Sequence, residues 1–404
     1  MWRFLRNSQP AQMRPRDVSP PEEGVVLILG GAGYIGSCLA RKLLDAGRSV
    51  RVVDSLLYGD DAVRGLYGHP HFELRVGDCR GIQDMVAAVK GIDSIVHLAA
   101  IVGDPACEVD RQASLEINYA ATRMLIEVAK GHGLQRFLFA SSCSVYGATD
   151  SLMDEDSPVQ PVSLYAQTKL DSERVLLLAR TNSFHPVILR LPTVCGLSHR
   201  ARFDLVVNLL TAKAVTEGVI TIYNGDQWRP FIHVHDVAEG LAQVLSAPLP
   251  IVSGEVFNLG DTRMNYTLWQ LAQKIRSIIP TVCVEHVENS DRRNYRVSFD
   301  KIRDQIGFLC SRTLEDAILE IRHAIEHKAI ADYTDVRYDN HKYLKSAGAP
   351  SCTDALAARI MAAFAQAPPA LSDQVLVPSR MNNDTDIPLA GIRIPGWPSG
   401  RGHG

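Results

Sequence analysis

Residues 25–54 read VVLILGGAGYIGSCLARKLLDAGRSVRVVD. An apolar, Val- and Ile-bearing strand runs into a glycine turn, the turn opens a helical stretch, and a second Val-rich strand ends on Asp54. In this setting the glycines of Gly30-Gly31-Ala32-Gly33-Tyr34-Ile35-Gly36 have a physical reading. Gly30, Gly33 and Gly36 allow a tight turn, close helix packing and approach of backbone N–H groups, including those of Tyr34 and Ile35, to a pyrophosphate. Asp54 is then placed to accept hydrogen bonds from ribose hydroxyls, and its charge disfavours a 2′-phosphate, which selects NAD over NADP. Asp78, in VGDCR after the third apolar stretch, is a weaker candidate for the adenine edge.

FELRVGD, SIVHLAA, RFLFASS and PVILRLP repeat the short apolar strand between helical segments. That alternation predicts an α/β fold of Rossmann type, a doubly wound parallel sheet. Residues 24–190 read as the dinucleotide-binding domain and 191–345 as mostly a smaller substrate lobe; EVFNLG returns the chain to the sheet near 255–260. Residues 1–23, bearing Arg, Pro and Gln, read as a disordered extension, with a transit peptide as the lesser alternative, and 368–404 as a flexible tail.

A chain of 404 residues is long enough to bury a sizeable core, and a formal charge of -3 gives no support to a phosphate-neutralising nucleic-acid surface. The eight cysteines are scattered without a C-x-x-C pair, which argues against a zinc site or a disulfide scaffold and fits a reducing, cytoplasmic setting. No apolar run is long enough for a membrane span.

Tyr165 and Lys169 stand four apart in YAQTK at the head of a strongly helical run, so one helix face presents both. An ammonium near a phenol lowers its pKa and makes it a base for a sugar hydroxyl. Ser142, in FASSCSVYG, ends a strand, where parallel sheets place functional groups, and can hydrogen-bond the same hydroxyl.

Over residues 24–340 these stretches, together with NYAATRMLIEVA, LRLPTVCG, GDQWRPFIHVHDVA and VFNLG, resemble the NAD-dependent epimerase/dehydratase family of extended short-chain dehydrogenase/reductases. Leu29 departs from the Thr common there. The resemblance implies a catalytic Ser142/Tyr165/Lys169 set, with Lys169 also on the nicotinamide ribose, and Leu98, Ala99 and Ala100 along the cofactor channel. It implies a nucleotide-diphosphate sugar as substrate, Arg229 as the diphosphate clamp, Arg292 or Arg293 as a second one, and Asn208 near the nucleotide. It also implies a homodimer through a two-helix face, which apolar stretches such as NYAATRMLIEVA permit.

The positions after Ser142 are Cys143 and Ser144, where 4,6-dehydratases of the family carry Asp and Glu; without those carboxylates an elimination lacks its acid and base. Ser-x-Ser is similar to the arrangement in 4-epimerases. A 4-keto nucleotide-sugar reductase shares every catalytic residue and stays open, with dehydration or decarboxylation behind it. A non-catalytic NAD-binding protein is the contrasting class, disfavoured by the intact Ser/Tyr/Lys set. Cys143 reads as a small buried residue, His233 as structural, and Asp236 as the N-cap of the helix after it.

Overall fold

The computed structural model describes residues 24–288, 294–352 and 354–366. The expectations for 1–23 and 368–404, and the clamp role of Arg292, fall outside the described residues.

Five strands, β1 (Val25–Leu29), β2 (Ser49–Asp54), β3 (Phe72–Val76), β4 (Ile92–His97) and β5 (Arg136–Ser142), are joined by His185–Leu191 and Val256–Asn258 in one seven-stranded sheet. From one edge the order is Val256–Asn258, His185–Leu191, β5, β4, β1, β2, β3, and every pair is parallel. Parallel strands need both faces covered, which is why their sequences read as near-continuous apolar runs: Val26, Leu27, Ile28 and Leu29 are all fully buried. The chain reverses its direction of travel across the sheet between β1 and β4, leaving a crevice at their carboxyl ends. This is a Rossmann-type α/β fold.

The helix Gly36–Asp45 packs Leu39, Ala40 and Leu43 on one face of the sheet, beside Val237, Leu241 and Val244 of the helix Val234–Ser246. Met124, Leu125 and Val128 cover the other face. A smaller layer, in which Trp228–His233 pairs with Thr193–Cys195 and Asn265–Thr267, has its own core around Val207, Phe231, Leu271 and Ile318.

One expectation needs correction. Asp236 lies inside the helix Val234–Ser246, whose N-cap is His233; the Asp236 carboxylate instead accepts from Ser311 N, Ser311 Oγ and Arg312 N, fastening the loop ahead of the helix Leu314–Glu326. The apolar stretch NYAATRMLIEVA is largely buried within the chain. Met361 of the helix Ala355–Ala365, fully buried, joins its core, and Arg123 donates to Phe364 O at 3.1 Å with its guanidinium 4.6 Å from the Phe364 ring. Among the described residues no helix is long and apolar enough to cross a membrane.

Candidate active site

The crevice at the strand ends is a cleft of about 540 Å³. Its floor is the glycine turn. Gly30 has φ +81°, and a Cβ there would lie 2.7 Å from Ala99 N; one at Gly36 would lie 2.4 Å from the Gly30 carbonyl oxygen. The turn thus excludes side chains at both positions. Gly33, which lines the cleft, meets only the Gly30 oxygen, at 3.1 Å. Tyr34 donates its hydroxyl to Gly196 O at 2.6 Å and ties the turn to the substrate side.

Asp54 ends β2 at the cleft and accepts from Ala32 N and Leu56 N, both at 2.9 Å. Burial pushes its carboxyl pKa up, against those amides and the nearby Arg200, which pull it down. Asp78 also lines the cleft but is gripped by Arg80, whose Nη2 lies 2.6 Å away. Arg80 is itself buried and reaches Glu116 at 3.1 Å and Pro350 O at 2.8 Å. Tyr34, Ile35, Leu98, Ala99 and Ala100 complete this wall. A dinucleotide fits these groups: a side-chain-free turn at a helix start, and a carboxylate at the end of β2.

At the other end the structure brings Ser142, Tyr165 and Lys169 together on the cleft. Ser142 Oγ caps the short 3-10 turn Cys143–Tyr146 by accepting from Ser144 N at 3.2 Å, and accepts from Ser144 Oγ at 2.8 Å. Ser163 caps the helix Leu164–Leu178 that carries Tyr165 and Lys169, and donates to Asp104 Oδ1 at 2.7 Å. Lys169 is buried and donates to Ala140 O at 2.8 Å. Desolvation lowers its ammonium pKa to about 8, with Cys107 and Glu173 opposing.

The expected lowering of the Tyr165 pKa is not what the structure shows. Desolvation pushes the phenol well above its ordinary range, Cys107 and Asp104 add to the shift, and Arg202 and the Ser142 hydroxyl only partly offset it. The ammonium of Lys169 stands 5.8 Å from the Tyr165 ring centroid and is turned to the Ala140 carbonyl. Cys143 is fully buried, with its thiol donating to Arg190 O, and burial pushes its pKa up.

On the substrate side, Asn208 does not reach the cleft wall. It is fully buried, and its amide is committed to Gly196 N, Gly196 O and Arg202 O at 2.8 to 3.0 Å; it staples the turn that meets Tyr34. Arg229 donates to Trp228 O and Gln227 Oε1, with its guanidinium 5.7 Å from the ring of Tyr295, and it is Tyr295 that lines the cleft.

Three contributors escaped the sequence reading. Asn118 sits in a single π-helical turn, Glu116–Ala120, and clamps the cleft loop by accepting from Ile101 N at 2.8 Å and donating to Ile101 O at 2.9 Å. The other two are Arg200 and Arg202, both on the cleft wall. The only local signal for them is the R-A-R spacing in SHRARFD.

The chain is 30% identical over 254 residues to an uncharacterised UDP-glucose epimerase of Bacillus subtilis, covering 58% of this chain and 76% of the relative. It is 29% identical over 319 residues to a dTDP-glucose 4,6-dehydratase of Streptomyces niveus, covering 73% and 90%. The solved structure of MoeE5 in complex with UDP-glucuronic acid and NAD superposes with a TM-score of 0.65 at 28% identity, over 76% of this chain and 100% of that one. Residues 26–260, more than half of the chain, match the model of the NAD dependent epimerase/dehydratase family, and the chain belongs to that family of NAD-dependent enzymes.

Proposed function

We propose that this enzyme is a nucleotide-sugar 4-epimerase that oxidises its substrate at C4 and re-reduces it from the other face. The observation that carries the reading is the pair of hydroxyls, Ser142 and Ser144, 2.8 Å apart beside Tyr165. Where an elimination needs a carboxylic acid and a carboxylate, this cleft offers hydroxyls and an inward-turned thiol. Among the described residues the carboxylates lining it are Asp54, Asp78, Asp104 and Asp204. Asp54 and Asp78 are at the dinucleotide wall, Asp204 is ion-paired with Arg202 at 2.7 Å, and Asp104 is held by Ser163.

NAD, when bound, supplies the acceptor and then the donor of the C4 hydride, and a positive nicotinamide ring favours the phenolate. Tyr165 takes the C4 hydroxyl proton as the alcohol becomes a ketone and returns it as the ketone becomes an alcohol. Ser142 donates to or accepts from that oxygen and fixes its position. Lys169 orients the ribose and, through Ala140 O, pins the helix that carries the phenol to the end of β5. Arg229 clamps the diphosphate once its guanidinium turns from Trp228 O and Gln227 toward the cleft that Tyr295 lines. A homodimer belongs to the same reading.

The test is to incubate the purified protein with UDP-, GDP-, dTDP- and CDP-sugars without added cofactor. A C4-inverted product is expected. Consumption of added NADH only with a 4-keto sugar would establish the reductase instead, and loss of water or carbon dioxide would restore a lyase.

A further inference from the structure

Arg200 is buried in the cleft wall at 8% exposure, yet its Nε has no hydrogen-bond partner among the described residues. A buried donor without an acceptor is costly; the Nε is itself shut from solvent, so a ligand reaches this underbonded cation through the rest of its guanidinium. Its neighbour Arg202 is different: Nε and Nη2 grip Asp204 at 2.9 and 2.7 Å.

The rest of the Arg200 side chain is fixed. The guanidinium lies 3.8 Å from the centroid of Tyr58, whose ring meets that of Tyr343 at 4.9 Å with a 57° tilt, and Nη2 donates to Asn340 Oδ1 at 2.7 Å. Asn340 and Tyr343 belong to the helix Asn340–Ala347, far along the chain from the glycine turn. A short ladder holds that segment against 200–204: Phe203 N donates to Tyr338 O at 2.8 Å, and Asn340 N to Asp204 Oδ2 at 3.3 Å. Asn340, His341 and Pro350 line the same cleft as Asp54 and Tyr58. The end of the cleft beyond β2 is therefore closed by residues from after the substrate layer, with an underbonded cation facing the Asp54 side. Burial and Arg202 lower the guanidinium pKa to about 10, which leaves it charged at neutral pH.

We propose that Arg200 donates a guanidinium N–H to an oxygen of the adenosine half of NAD, and that the Tyr338–Tyr343 segment latches it there so that the cofactor stays resident. The inference rests on NAD as the cofactor; it holds for epimerisation and for ketone reduction alike, so its failure leaves the proposed reaction standing.

The experiment compares the wild type with Arg200→Ala, Arg200→Gln and Asn340→Ala, all full length. Three quantities are read: NAD per chain after gel filtration, the NAD Kd of stripped protein by calorimetry, and the rise in Tm caused by NAD. The account expects Arg200→Ala to lose bound NAD on the column and to raise the Kd about tenfold or more, the scale of one lost charge-assisted hydrogen bond. Asn340→Ala is expected to raise it less, and the KM for the nucleotide sugar at saturating NAD to stay as in the wild type. Should Arg200→Ala fail to fold, Arg200→Gln, which keeps a donor toward Asn340 but not the guanidinium charge, carries the same prediction. Unchanged NAD content and Kd would overturn the proposal. So would a lower Tm whose NAD-induced rise is undiminished, which marks a structural role, or a raised sugar KM with NAD retained, which assigns Arg200 to the substrate.

Discussion

Lys169 Nζ donates to the carbonyl of Ala140, two residues before Ser142, at 2.8 Å. That bond fixes the helix carrying Tyr165 to the end of β5, so the three side chains share one cleft. Being desolvated, the ammonium titrates at about 8. An unfolded lysine holds its proton to about pH 10.4, so the burial penalty is full below about pH 8 and is relieved as the pH rises across that window. Stability from this group increases with pH there while the charge is lost. The expected outcome is a fall in kcat/KM above about pH 8 without a fall in Tm, and a limb displaced to higher pH in Lys169→Arg, whose guanidinium stays charged. A limb unmoved by that substitution would remove Lys169 from the account.

Tyr165→Phe keeps the ring and removes the proton acceptor. Turnover is expected to drop by about 10²- to 10⁴-fold. NAD content and the circular dichroism spectrum should match the wild type, because the cofactor wall lies with Gly30, Asp54 and Leu98. Turnover within a few fold of the wild type would mean that another group moves the C4 proton.

Asp104 raises the phenol pKa through its charge. Asp104→Asn keeps an acceptor for Ser163 and removes that charge, so the phenolate becomes easier to form. The acid limb of the pH–rate profile is expected to move to lower pH. A shift to higher pH would show that the carboxylate acts on another group.

Met361 is fully buried against the helical layer beneath Asn118–Ala129. Met361→Ala should cost about 2 to 5 kcal/mol in chemical denaturation. Removing residues 354–404 should expose Ile117 and Ala121 and drive concentration-dependent association, read by light scattering. A truncated chain as stable and as dispersed as the full one would contradict the covering role of this helix.

The sheet was legible because buried parallel strands and the glycine turn are local patterns: residues 25–54 alone state a strand, a turn, a helix and a second strand. Strand-end Ser142 and the four-residue spacing of Tyr165 and Lys169 could be read in the same way. What escaped depends on pairs distant in sequence. Nothing near Arg200 indicates that Asn340 will hold it, and nothing in DCRG ties Arg80 to Pro350. Asn208 has the right composition for a ligand, but its turn consumes its amide, and Asp236 looks like a cap until Ser311 folds onto it. The sign of the Tyr165 shift was missed because helix spacing gives the distance to Lys169 but not the desolvation of the cleft, which outweighs it.

The most direct measurement follows the C4 hydrogen. The enzyme, with no cofactor added, is given an excess of nucleotide sugar carrying deuterium at C4, and the product is read by mass spectrometry and NMR. The account predicts a C4-inverted sugar that retains the deuterium at C4 over many turnovers, because the hydride leaves and returns within one resident cofactor. Deuterium lost from C4 with water eliminated from the sugar, or no reaction until a 4-keto sugar and NADH are supplied, would contradict it.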